Sequence, residues 1–131
     1  MKKVILFLVL SLITTGVFAQ KNKAEVLYFK AQLPCCQATA CNSLEQEVKL
    51  IIEKNFTKGE ISFKQVALGD AGNKVLVDKY SAKSQTVVIV NTKKKTNNSV
   101  DVSDIVRRYA RTDDKAVFEK ELVAKIKESL S

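Results

Sequence analysis

Apolar residues along this chain fall into dense short runs that suit strands and spaced stripes that suit helices. Glu25 to Ala31 (EVLYFKA) is rich in β-branched and aromatic residues and predicts a buried first strand. Gln32 to Ala40, which holds the sole proline, Pro34, predicts a loop. Ser43-Leu44-Glu45-Gln46 then has the form of a capping box, and Leu44, Val48, Ile51, Ile52 and Phe56 follow at helical spacing, so a helix is predicted to about Asn55. After Gly59, the positions Ile61, Phe63, Gln65 and Ala67 predict a second strand of alternating character. Gly69 to Gly72 ends it, and Asn73 to Tyr80 predicts a short helix. Thr86 to Val90 (TVVIV) is apolar at every position but the first, the pattern of a central strand covered on both faces. Asn91 to Asn98 predicts a hairpin connection into a strand at Val100 and Val102. Phe118, Leu122, Val123, Ile126 and Leu130 predict a last helix, with Asp113 or Asp114 as its N-cap.

The resulting order, β-α-β-α-β-β-α, places the chain in the α/β class. Strands that alternate with helices favour a mixed four-stranded sheet flanked by helices, and this order matches a thioredoxin-like fold.

The N-terminus changes the picture. Lys2 and Lys3 precede an apolar stretch from Val4 to Ile13, and Val17-Phe18-Ala19 offers small residues where a signal peptidase reads them. Residues 1–19 are therefore expected to be a cleaved signal peptide, and residues 20–131 a single domain in the periplasm or outside the cell. The apolar stretch is too short for a permanent span, so the mature form carries none. The first residue of the exported form is expected to be Gln20; N-terminal sequencing that found Met1 intact in the exported fraction would contradict this.

The net charge of +8 falls to +6 once the two leader lysines are removed. That charge suits an anionic partner. Nucleic acid does not fit, because the chain has no tryptophan and few aromatic residues for base stacking. With no histidine at all, neither a Ser/His/Asp nor a Cys/His arrangement can form, and histidine-based zinc catalysis is excluded. Gly59, Gly69 and Gly72 lack phosphate-loop or dinucleotide spacing, so no organic cofactor is expected.

What chemistry remains sits in Pro34-Cys35-Cys36-Gln37-Ala38-Thr39-Ala40-Cys41, between the first strand and the first helix. The positive end of a helix favours thiolate over thiol, and Lys30 is near enough in sequence to add to this. Three readings compete. Two of the cysteines form a structural disulfide in a non-catalytic interaction module, although three is an odd number. Cys36 and Cys41 are the catalytic pair of a thiol-disulfide oxidoreductase, a stretched relative of C-x-x-C. Or Cys35, Cys36 and Cys41 together hold one soft ion. Three thiolates without imidazole suit As(III), Sb(III) or Cu(I), whereas zinc would want a fourth ligand. The third reading also implies a protein partner that accepts the ion.

Cys-Cys-x4-Cys directly after a first strand resembles the arsenic metallochaperone ArsD family, thioredoxin-like proteins that pass As(III) to an efflux ATPase. The resemblance implies that Cys35, Cys36 and Cys41 are metalloid ligands. Nearly all of the chain after the leader is similar to a family of small exported thioredoxin-like proteins, the nitrophenyl compound nitroreductase subunit ArsF family. The residues that carry this second resemblance are Val26-Leu27-Tyr28-Phe29, Cys41 with Leu44 and Glu45, Asn73 to Tyr80, and Arg108-Tyr109-Ala110-Arg111. That family shows C-x-x-C, with Cys41 matching its second cysteine; the present chain has the longer motif. Thioredoxins also carry a cis-proline before the third strand, where this chain has Ser84-Gln85-Thr86. Gln85 and Thr86 are thus candidates to line the cysteine pocket.

Two basic features have simpler roles. Lys93-Lys94-Lys95 suits a solvated hairpin tip, and Arg107, Arg108 and Arg111, interleaved with Ile105, Val106 and Tyr109, suit the outer edge of a helix.

Overall fold

The computed structural model describes residues 22–32, 35–96 and 98–131, and over 35–41 it describes the backbone alone. The leader and its cleavage site lie outside the described residues. The chain runs β1 (Ala24–Lys30), α1 (Cys35–Asn55), β2 (Ile61–Ala67), a short 3-10 turn (Ala71–Asn73), α2 (Lys74–Lys79), β3 (Val87–Asn91), β4 (Ser99–Asp101), α3 (Ser103–Thr112) and α4 (Lys115–Leu130). It is an α/β structure with one mixed sheet in the order β2-β1-β3-β4.

β1 and β2 are parallel, with Val26 opposite Phe63. A parallel pair needs a long crossover, which α1 supplies. β3 is antiparallel both to β1, with Leu27 opposite Val88, and to β4, with Ile89 opposite Val100. β3 is therefore an inner strand, as its apolar run predicts, and β2 and β4 are the edges.

Because side chains alternate along a strand, the dense runs in β1 and β3 feed two cores. Val26, Tyr28, Val87 and Ile89 face Leu44, Val48, Ile51 and Ile52 of α1, Val106 of α3, and Phe118, Leu122 and Ile126 of α4. On the other face Leu27, Phe29, Val66 and Val88 form a smaller core, closed by Leu76 and Val77 of α2 and by Tyr80 just after it. β2 serves both: Ile61 belongs to the large core and Val66 to the small one, while Gln65 and Ala67 are exposed. The expected alternation through Gln65 and Ala67 thus holds only at the start of the strand.

Three expectations are corrected. The loop does not reach Ala40, because α1 already begins at Cys35. Cys-Cys-Gln-Ala-Thr-Ala-Cys contains no glycine or proline and includes good helix formers, so the helix propagates upstream. Ser43 consequently lies inside α1 and not at its start. The expected last helix is preceded by a second one: α3 ends where Asp113 turns left-handed (φ 54°) and donates its amide to the Tyr109 carbonyl at 2.8 Å. Asp114 then caps α4, its carboxylate accepting from the Val117 amide at 3.1 Å. The two helices are joined by stacked Tyr109 and Phe118 rings, centroids 4.4 Å apart, and by an Arg108–Glu121 ion pair at 2.6 Å. Finally, Val102 is not a strand residue; it precedes α3, fully covered.

Candidate thiol site

The end of β1 and the start of α1 meet at one end of the sheet, and the sequence puts all three cysteines there. The backbone of Cys35, Cys36 and Cys41 lies in the first two turns of α1; their side chains lie outside the described residues, as does Pro34. An unbroken α-helix sets residues five apart on faces separated by roughly 140°, with Cα atoms about 8.7 Å apart. That exceeds the Cα separation of about 7 Å beyond which no disulfide closes without backbone movement. A Cys36–Cys41 bond, or three sulfurs on one ion, therefore requires this end of α1 to open.

Lys30, the last residue of β1, reaches across to α1. Its ammonium donates to Glu45 Oε2 at 2.8 Å and also bonds the Asn42 side-chain oxygen. The lysine and glutamate side chains are 21% and 13% exposed, so the pair is substantially shielded from water. Lys30 thus brings a paired charge, not a free one, to this end of the molecule. The pair clips α1 to β1 one turn beyond Cys41. Removing the ammonium with Lys30→Met strands a shielded carboxylate and is expected to cost about 1–3 kcal/mol. The exposed Lys49→Met is expected to stay within about 0.5 kcal/mol of wild type in the same urea titration. Equal stabilities for the two variants would contradict the clip.

The segment before β3 closes the same end. Phe29 donates its amide to the Thr86 carbonyl at 2.9 Å, and Gln85 donates to the Phe29 carbonyl at 3.0 Å. Gln85 holds a left-handed conformation (φ 65°), which a residue with a Cβ adopts only at a cost of about 1–3 kcal/mol. Thr86 is buried and its hydroxyl accepts from the Lys83 amide at 3.0 Å. The Ser84 hydroxyl oxygen is buried without a hydrogen-bond partner. No cis peptide bond occurs among the described residues. Gln85 and Thr86 therefore sit against the end of β1, as candidates for this end should.

Sequence reasoning missed the Lys30–Asn42–Glu45 cluster, having read Glu45 as part of a cap. The one signal was a lysine directly after the apolar run Val26 to Phe29. Elsewhere, an apolar groove of about 440 Å³ runs between the far end of α1 and β2, with Ile52, Phe56, Ile61 and Phe63 among its lining residues. It is remote from the cysteines. Among the described residues no helix is long and apolar enough to cross a membrane.

No family model matches the chain, and no curated protein matches it. A solved structure described as that of a malarial protein is similar to 69% of this chain and 97% of its own, at 25% identity and a TM-score of 0.41.

Proposed function

We propose that this chain is an exported thioredoxin-like thiol protein that binds a soft metalloid, As(III) foremost, through Cys35, Cys36 and Cys41. The observation that carries the reading is the position of the three cysteines in the first two turns of the helix that follows β1. There the helix dipole favours the thiolate. The strand order β2-β1-β3-β4, with β3 antiparallel to both neighbours, supports the thioredoxin-like assignment, since that is the arrangement of such domains. Residues 1–19 supply the export signal and the soft, imidazole-free donor set supplies the choice of ion.

Arsenous acid is neutral, and each As–S bond forms as one As–OH is lost with a thiol proton as water. Three thiols thus give one As(SR)3 and three waters, with no change in oxidation state and no net proton release. Sb(III) follows the same course. Cu(I), by contrast, displaces protons from the thiols it binds, so its affinity falls as the pH falls.

The test is native mass spectrometry of the reduced protein titrated with arsenite. One arsenic per chain, with three thiols lost to alkylation, is the expected result. A protein that instead turns over a disulfide substrate through Cys36 and Cys41, and leaves Cys35 open to alkylation in the presence of arsenite, would be a dithiol oxidoreductase.

A further inference from the structure

The end of the sheet opposite the cysteines gathers positive charge from separate parts of the chain. Lys23 donates its amide to the Glu60 carbonyl at 2.8 Å, and its own carbonyl accepts from the Thr92 amide at 3.1 Å. The turn carrying Lys58 and the hairpin tip carrying Lys93, Lys94 and Lys95 are thereby tied to either side of Lys23. The Thr92 hydroxyl also bonds the Asn22 carbonyl, and the Asn91 side chain donates to the Ser129 carbonyl at 2.6 Å. The hairpin is therefore anchored to both the start of β1 and the end of α4. Asn91 Oδ1 accepts from the Lys93 and Lys94 amides at 2.8 and 3.3 Å, which fixes the backbone of the tip.

The charges at this end do not cancel. Glu60 is paired with Lys23 at 2.7 Å, and that hydrogen bond holds its carboxyl below the usual range, so the pair is ionised and neutral as a unit. Glu128 is paired with Lys125 at 2.9 Å. Glu53 lines the same groove as Lys58, and Glu25 stands opposite Val90 near the start of β1, so the surplus rests on the exposed Lys93, Lys94 and Lys95.

We infer that this end is a docking surface for an anionic phospholipid membrane. Charge complementarity supports this, because the surplus lysines share one tip whose backbone is fixed by the Asn91 side chain and by Thr92. The hairpin tip, Thr-Lys-Lys-Lys-Thr-Asn-Asn, has no aromatic ring on which a base could stack.

A lysine beside an anionic leaflet contributes about a fivefold factor in affinity. The test uses protein recovered from the exported fraction, sedimented with phosphatidylglycerol-containing or pure phosphatidylcholine vesicles. Binding to the first and not the second, abolished by about 0.5 M salt, is expected. Lys93→Gln/Lys94→Gln/Lys95→Gln should weaken it about a hundredfold with an unchanged thermal melt, while Lys79→Gln/Lys83→Gln should leave it intact. Equal binding to the neutral vesicles, or a triple variant that binds like wild type, would overturn the inference. So would tight binding of a single-stranded oligonucleotide by protein that ignores the anionic vesicles.

Discussion

Val88→Asp is expected to leave the chain without a cooperative unfolding transition. Val88 is 2% exposed, in the middle of β3, with Leu27 opposite it on β1 and Asp101 opposite it on β4. Its side chain belongs to the smaller core with Leu27, Phe29 and Val66, a cluster that offers no cation to a new carboxylate. A buried, unpaired charge costs about 3–5 kcal/mol, and burial of the valine is lost as well, about 1.5–3 kcal/mol. Against a total stability of roughly 5–15 kcal/mol for a small domain, the sum is about a third of it at the least and all of it at the most. Circular dichroism on heating reads the outcome directly. A melt like that of wild type would remove β3 from the centre of the sheet.

The second large effect concerns the cysteines. If the three thiols share one As(III), each Cys→Ser variant loses a ligand that the others cannot replace. Affinity for arsenite should fall at least about tenfold for Cys35→Ser, Cys36→Ser and Cys41→Ser alike, since about 1.4 kcal/mol suffices for that factor. Arsenite condenses with thiols by loss of water and takes up a proton for each sulfur that starts as thiolate, so the wild-type affinity should not fall as the pH is lowered from 7 to 6. The helical start of α1 adds a further consequence. Bringing Cys41 to Cys35 and Cys36 breaks helical backbone that is intact in the free chain, so arsenite should lower the helical circular dichroism signal. Fixing the opened segment costs about 1–2 kcal/mol per residue. Arsenite binding that leaves the helical signal unchanged, with Cys35→Ser binding as tightly as wild type, would reduce the site to two thiols or fewer.

The strands were legible because β1 and β3 are inner strands covered on both faces, and only dense β-branched and aromatic runs fit there. Their observed bounds differ from the pattern-based ones by a single residue. β2, an edge strand, was less legible: the pattern found Ile61 and Phe63 but not Val66, whose burial depends on Phe29 and Val88 lying beneath it. The start of α1 was misread because Ser43 and Gln46 imitate a cap, while the helix-forming run upstream carries no punctuation of its own. The break between α3 and α4 was marked by the expected cap at Asp113 or Asp114, and only the backbone conformation of Asp113 was not legible. Asp113 takes the left-handed conformation that sequence reasoning assigns to glycine. Gln85 does the same at the candidate site. The Lys30–Glu45 clip joins residues fifteen apart on different elements, and no local pattern encodes such a contact. The motif itself was fully legible, whereas the helical backbone beneath it was not.

X-ray absorption at the arsenic edge, on monomeric protein loaded with one equivalent of arsenite, tests the central claim most directly. The account predicts a shell of three sulfur neighbours and no oxygen. A shell of two sulfurs and one oxygen would contradict it, leaving a dithiol with one cysteine as a bystander.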